Sequence, residues 1–211
     1  RAIDLGKALA FESNASCIVV PTSAATDAPT SRISVKYHNG YFEKYSYYAK
    51  SPDLVLIDTA ILINSPVHFL TAGIADGLST SIEARTVREN SGVNTLGAAP
   101  TLAAEAIAEK CREVLLEFAE EAVEANEKHI ITPAFEAVVE ANTLLSGIGF
   151  ESGGLSIAHA LHNAMVSLWG NEIKGSHGQI IALTTLQQLR IEGREEELAR
   201  YQTLFEKLAL P

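Results

Sequence analysis

The spacing of hydrophobic residues changes once along the chain, at Asp58, and this change constrains the fold more than any other feature. Before Asp58, an amphipathic segment over residues 1–11 is followed by an apolar, β-branched run over residues 15–20, which is typical of a buried strand. After Asp58 the apolar residues recur with helical spacing as far as the last residue. The pattern therefore predicts an α/β part over residues 1–58 and an all-helical part over residues 59–211.

Between its predicted strands the α/β part contains a candidate ligand loop and a hairpin. Residues 21–31 are small and polar, with several hydroxyl side chains and one acid, Asp27. Ligands of open α/β sheets bind beyond the carboxyl ends of the strands, which favours a ligand loop over a plain surface turn. Asn39 and Gly40 stand between two alternating segments and predict a β-hairpin. A last strand is predicted over residues 53–57.

Composition narrows the classes of protein that the chain can represent. A formal net charge of −10 argues against nonspecific nucleic-acid binding, which needs a basic surface. The sequence contains neither a signal peptide nor an apolar run of membrane length. Cys17 and Cys111 lie far apart and are expected to be reduced thiols. We therefore expect a cytoplasmic protein without nucleic-acid or membrane partners.

Three of the six histidines lie within nineteen residues of the helical part. His159 and His162 are three positions apart, so both project from one side of a predicted helix, for which Ser152 is a candidate N-cap. His177 stands just before the next helical run, from where its side chain can reach back toward the first helix. A single histidine on an apolar helix is usually a hydrogen-bonded core residue. Three in this arrangement indicate a metal site or a proton relay as well.

Asp76 is the candidate for the carboxylate that such a metal site requires. It lies near the start of a helix predicted over residues 75–90, where an acid can equally serve only to stabilise the helix dipole. Glu83 shares its helix face. Asp76, His159 and His177 would provide two imidazoles and one carboxylate, a set that suits Zn²⁺ or Fe²⁺ in an open, catalytic site. Judged from residue types alone, non-haem iron oxygenation is the competing chemistry.

Five segments, spread over the whole chain, carry a resemblance to a known family: residues 20–31, 72–80, 142–154, 158–163 and 176–178. Together they resemble the glycerol dehydrogenase branch of the iron-containing (group III) alcohol dehydrogenases. The resemblance implies a dehydroquinate synthase-like architecture, with an NAD-binding α/β domain, an all-helical metal domain and an active site between them. It further implies reversible, NAD-dependent oxidation of glycerol to dihydroxyacetone by a homo-oligomer.

The same resemblance implies roles for individual residues. Asp76, His159 and His177 match the metal ligands, and with Asp27 they would form the catalytic set. Asp27 also matches a residue near the glycerol hydroxyls, and Phe150 matches an aromatic residue that lines the substrate pocket beside His159. Positions along NAD are matched by Asp4 (with Arg1, at the end of the phosphate-binding turn), Thr22, Ala25, Ser31, Ile33 and Tyr37.

The sequence departs from the family pattern in two places. Thr80 stands where iron-using relatives carry a further histidine, one turn after the metal aspartate, and this favours Zn²⁺ over Fe²⁺. The family's glycine-rich phosphate loop would precede Arg1, and its final helices would follow Pro211. The chain is therefore expected to be an internal part of a longer family member.

Other functions stay open from the sequence. A related polyol or glycerol-phosphate dehydrogenase is the nearest alternative, although the absence of basic residues from segment 21–31 favours a neutral polyol. From a different class, the chain would be a non-catalytic helical module for metal binding or oligomerisation. The role of His162 is open between orienting the metal site, relaying a proton and forming a structural hydrogen bond.

Overall fold

The architecture follows from a computed structural model that describes residues 2–211; Arg1, and with it part of the predicted phosphate-binding turn, lies outside the described residues. The first part of the chain contains α1 (Ala2–Ser13), β1 (Ile18–Val19), β2 (Ile33–His38), β3 (Tyr41–Tyr47) and β4 (Leu54–Val55). The rest contains α2 (Thr59–Leu62), α3 (Val67–Glu89), α4 (Leu102–Glu127), α5 (Pro133–Glu140), α6 (Ser146–Gly153), α7 (Ile157–Trp169), α8 (His177–Ile191) and α9 (Glu195–Lys207).

The strands form two small pairs. Strands β2 and β3 make the predicted antiparallel hairpin, and both turn residues, Asn39 and Gly40, have positive φ angles of 53° and 90°, as a type I′ turn requires. Strands β1 and β4 pair in parallel over two residues each, so the strands predicted over residues 15–20 and 53–57 are present only in part. Within the described residues this pair has no further neighbouring strand, which leaves Ile18 62 % exposed.

Helix α3 forms the centre of the helical part. It is buried along most of its length, and Ile74, Ala75 and Leu78 are completely inaccessible to solvent. Helices α4, α6 and α8 pack around it. A helix surrounded in this way has no solvent face, so its polar side chains must find partners inside the protein.

Gly73 does not interrupt α3, and the helix predicted from residue 75 in fact begins at Val67. The glycine is required instead for a close contact. A Cβ at position 73 would lie 1.9 Å from the carbonyl oxygen of Ala24, in the candidate ligand loop. Asn142 Nδ2 donates a hydrogen bond to the same oxygen at 3.0 Å. Gly73 therefore lets the ligand loop rest directly on the backbone of α3.

The glycine-rich segment after Ser146 does not interrupt the helical pattern, although glycine usually weakens a helix. Helix α5 continues through a π-helical turn (Ala141–Leu145) into α6, which ends at Gly153. The glycines allow α6 to pack closely: a Cβ at position 153 would lie 2.7 Å from the Ala84 Cβ on α3. Ser152 consequently lies inside α6 and is not the N-cap of α7, which begins at Ile157.

Two further sequence expectations concern cysteines and membrane spans. Cys17 and Cys111 are both free thiols, as predicted, and burial raises the pKa of Cys111. Among residues 2–211, no helix combines the length and apolarity needed to cross a bilayer.

The contact at Gly73 yields a stability prediction. We expect Gly73→Ala to lower the free energy of unfolding by about 1–3 kcal/mol, because the added methyl group overlaps the Ala24 carbonyl in a packed interior. Gly6→Ala is the matched control: it also lies in a helix but meets no atom within 4 Å, so the substitution should raise stability by up to about 1 kcal/mol. Unfolding in urea measures the free energy of unfolding of both variants. Equal stabilisation by the two substitutions would contradict the proposed contact.

Candidate metal centre and its cleft

Three side chains from three helices converge at one point of the structure. Asp76 Oδ1, on α3, lies 3.2 Å from His177 Nε2 on α8 and 3.6 Å from His159 Nε2 on α7. The ligand atoms of the three residues all lie within 4.8 Å of one another. Asp76 and His159 are buried, whereas the His177 side chain keeps 32 % of its surface exposed. The structure thus brings together the three residues that the sequence singled out as metal ligands.

The position of His177 is fixed by the start of α8. Ser176 caps this helix together with Gln179, each accepting a hydrogen bond from the other's backbone. A Cβ at Gly178 would lie 2.0 Å from the carbonyl oxygen of Ala72, so only glycine lets α8 begin directly on the backbone of α3. Ala72 is one helical turn before Asp76, and this contact therefore places His177 beside the carboxylate.

The three residues fit a divalent cation. Asp76 Oδ2 is buried and has no hydrogen-bond partner among the described residues, which is unusual for a carboxylate oxygen. The Nδ1 atoms of His159 and His177 are both engaged on the far side of the rings, so that both Nε2 atoms face Asp76. Two imidazole nitrogens and a carboxylate suit Zn²⁺ or Fe²⁺.

The pKa values of the surrounding groups reflect this concentration of charge. Burial acts to raise the pKa of Asp76, but the adjacent His177 and His159 hold it well below its usual range. Burial acts to lower the pKa of His159, but the carboxylates of Glu83 and Asp76 hold it well above the ordinary value. Burial, helped by the nearby charge of His177, lowers the pKa of His162 to about 3. Asp76 is therefore a carboxylate and His162 a neutral imidazole at pH 7.

His162 and Glu83 complete the surroundings of the two candidate ligands. His162 Nε2 lies 2.9 Å from His177 Nδ1, so His162 contacts a candidate ligand and not the convergence point itself. Glu83 Oε1 lies 2.5 Å from His159 Nδ1, and Glu83 is fully buried. Sequence reasoning gave Glu83 no role. The available signal was its position seven residues after Asp76, which puts both acids on one side of the helix.

Asp27 lines the same cleft as Asp76 and His177. Its Oδ2 accepts a hydrogen bond of 2.9 Å from the Ser146 hydroxyl, which in turn lies 2.9 Å from the Thr80 hydroxyl. Loss of hydration, together with the negative charge of Asp76, raises the pKa of Asp27 to about 7. Thr80, which stands where iron-using relatives carry a histidine, is thus engaged with Ser146.

A cleft of about 430 Å³ opens between the first part of the chain and the helices, lined by Asp27, Asp76 and His177. Of the residues predicted along NAD, Asp4 and Tyr37 line this cleft, and Ser31 and Ile33 line a smaller adjoining pocket together with Phe150 and His159. Thr22 is exposed and Ala25 half-buried, and neither lines these two cavities.

Known proteins share both the sequence and the fold. Residues 1–66 match the family model described as iron-containing alcohol dehydrogenase. The whole chain is 40% identical to a glycerol dehydrogenase of Thermotoga maritima and 43% identical to a glycolaldehyde reductase of Halobacterium salinarum, covering 58% of each. A glycerol dehydrogenase structure from Schizosaccharomyces pombe superposes with a TM-score of 0.95 at 40% identity, over 99% of this chain and 54% of that one.

The chain spans a little over half the length of these curated relatives. Within that span the predicted architecture is confirmed, with part of an α/β domain followed by an all-helical domain. Over its whole length the chain is therefore similar to glycerol dehydrogenases in sequence and fold, and its first part is similar to the iron-containing alcohol dehydrogenases, in agreement with the resemblance of its motifs.

Proposed function

We propose that the protein catalyses the reversible oxidation of glycerol to dihydroxyacetone, with NAD as the hydride acceptor and with a bound divalent metal. The observation that carries this proposal is the convergence of Asp76, His159 and His177 at a cleft that Asp27 also lines. Several relatives that match the whole chain at about 40% identity are named glycerol dehydrogenases, which supports the same activity here.

In this proposal Asp76, His159 and His177 hold the metal. When bound, it supplies Lewis-acid chemistry that lowers the pKa of an alcohol hydroxyl. Asp27 accepts a hydrogen bond from a second hydroxyl of the polyol and so orients the substrate. The hydrogen bond from Ser146 fixes the Asp27 carboxylate for this task. NAD takes up the hydride, since the redox chemistry of such reactions belongs to the cofactor.

The residues around the cleft support a small, neutral substrate. The cleft lining contains no lysine or arginine within the described residues, whereas a phosphorylated substrate would need a cation. Phe150 is nearly buried beside His159 and supplies an apolar wall. The relative named glycolaldehyde reductase makes a hydroxyaldehyde the second candidate substrate, since reduction of such a compound is the same chemistry in reverse.

Zinc is the proposed metal, in preference to iron. The set of donors offers one carboxylate and two imidazoles, and the Thr80 hydroxyl that replaces a histidine of iron-using relatives is directed at Ser146. Three protein ligands and an open position are typical of catalytic zinc.

NAD is proposed to lie along Asp4, Ser31, Ile33 and Tyr37 at the cleft, with Thr22 and Ala25 at its outer end. The division of the chain into domains at residue 58, the homo-oligomeric state and the cytoplasmic location stay predictions.

The metal site can be tested by removing its ligands one at a time. We expect His159→Ala and His177→Ala each to abolish stoichiometric Zn²⁺ binding and NADH formation from glycerol, because two donors do not hold a catalytic metal. His38→Ala, at an exposed position beside the hairpin turn, is the control and should leave both unchanged. Metal analysis and NADH absorbance provide the readouts.

Two results would count against the proposal in different ways. Full zinc occupancy in either histidine variant would refute the ligand assignment. Zinc bound by the unaltered chain without any NADH formation would instead favour the non-catalytic metal-binding module.

A second test addresses the substrate contact. Asp27→Asn keeps the shape of the side chain and an acceptor for Ser146 but removes the negative charge. Since a hydrogen bond to a charged group contributes about 1.5–3 kcal/mol, we expect kcat/KM for glycerol, measured well above the Asp27 pKa of about 7, to fall roughly 10- to 100-fold with zinc still bound. Asp53→Asn, an exposed carboxylate near Lys50, is the matched control. An unchanged kcat/KM in Asp27→Asn would show that Asp27 does not contact the polyol.

A further inference from the structure

We propose that Glu83 is a positioning residue that fixes the ring of His159 with its Nε2 lone pair toward the metal, and that it makes His159 the stronger of the two imidazole ligands. This inference rests on the proposed metal site and names a residue on which that site depends.

Glu83 is a buried carboxylate whose hydrogen bonds all go to the start of α7. Its Oε1 lies 2.5 Å from His159 Nδ1, and its Oε2 accepts hydrogen bonds from the backbone N–H groups of Ser156 and His159, at 2.6 and 3.1 Å. Ser156, the residue before the helix, makes no side-chain capping bond of its own. Glu83 therefore serves as the N-cap of α7, supplied from a different helix.

No cation other than the His159 ring compensates the charge of Glu83. Among the ion pairs of residues 2–211, Glu83 pairs with His159 alone, although its side chain is fully buried. A fully buried carboxylate that has one imidazole as its ion-pair partner is costly in the interior, so capping a helix does not by itself account for its presence there. A role in holding the metal-binding imidazole of His159 accounts for the free-energy cost of burying Glu83.

The hydrogen-bond pattern determines the tautomer of His159. An ionised Glu83 can only accept hydrogen bonds, so when a metal displaces one proton of the His159 ring, the proton that remains must reside on Nδ1. The Nε2 atom, 3.6 Å from Asp76 Oδ1, is then free to bind the metal. A carboxylate partner also increases the basicity of the ligand nitrogen, as in carboxylate–histidine–zinc arrangements.

His177 lacks such a partner. Its Nδ1 meets the imidazole nitrogen of His162 at 2.9 Å, a neutral group in place of a carboxylate. The His177 side chain is also 32 % exposed, against 10% for His159. The two ligands are therefore unequal: His159 is held by a charge inside the protein, and His177 stands at the solvent side of the cleft.

Glu83→Gln tests this role with little change in shape. One glutamine oxygen cannot accept both the two backbone N–H groups and the Nδ1 proton, because the glutamate uses separate oxygens for these tasks. If the glutamine oxygen accepts the two backbone hydrogen bonds, the glutamine NH₂ group donates to Nδ1, and the ring proton of His159 moves to Nε2. If the oxygen instead accepts the Nδ1 proton, the NH₂ group lies against two backbone N–H groups, which are also donors. Either arrangement weakens metal binding.

The measurement is the Zn²⁺ affinity of the 211-residue chain, determined by competition with a chromophoric chelator. We expect Glu83→Gln to bind Zn²⁺ roughly 10- to 100-fold more weakly than the unaltered chain. Glu197→Gln is the matched control, because it removes a partly buried carboxylate that pairs with Arg85 on the same helix α3 but lies outside the histidine cluster. This control should retain full affinity.

The possible failures are distinguishable. If the unaltered chain binds no Zn²⁺, the proposed metal function fails and the role of Glu83 fails with it. If the unaltered chain and Glu83→Gln bind Zn²⁺ equally well, only the role of Glu83 is overturned.

A measurement on the unaltered chain makes the test independent of how well the variant folds. In ¹⁵N-labelled, zinc-loaded protein, the His159 ring should show a protonated Nδ1 with a strongly downfield proton, as expected for a short hydrogen bond to a carboxylate. A His159 ring protonated on Nε2 would overturn the proposal.

Discussion

The burial of helix α3 on all sides is the constraint on which the rest of the structure depends. Polar groups on a fully buried helix cost free energy unless they are paired, and Asp76, Thr80 and Glu83 are all buried there. Asp76 pairs with the histidines of α7 and α8, Thr80 with Ser146 on α6, and Glu83 with the start of α7. The packing of α6, α7 and α8 against α3 therefore also assembles the candidate site.

Glycine residues allow the neighbouring segments to approach the backbone of α3 this closely. At Gly73 and Gly178 the neighbouring chain lies so near that an added Cβ would overlap the carbonyl oxygens of Ala24 and Ala72. One contact brings the ligand loop onto α3 and the other brings the start of α8, and both lie about one helical turn before Asp76. Asn142, in the π-helical turn, donates to the carbonyl oxygens of Ala24 and Leu70. This local irregularity of the helix therefore also stabilises the contact between the ligand loop and α3.

Sequence patterns correctly predicted the helices and strands that depend only on their own residues. The hairpin follows from Asn39 and Gly40, and the long helix α4 follows from its periodicity and the Thr101 cap. The glycines at positions 73 and 147–153 could not be explained in this way, because their contacts with other segments are not visible in one segment. Asp76, His159 and His177 could be predicted as candidate ligands, because their residue types suit a metal and their segments resemble those of a known family. Glu83 could not, since its role depends on contact with the start of α7, which is distant in the sequence.

The candidate ligand loop belongs to the α/β part of the chain, whereas the candidate metal ligands all lie on helices. Lys7, on α1, is buried and donates to the carbonyl oxygens of Ala28 and Ile33 at 2.5 and 2.9 Å, and burial lowers its pKa. From the other side, Thr30 donates to the Thr143 carbonyl oxygen, and Ser146 donates to Asp27. The loop is therefore held by both parts of the chain. Under the proposed function, Asp27 is already held in place before a substrate binds, so binding need not supply the entropy of ordering it.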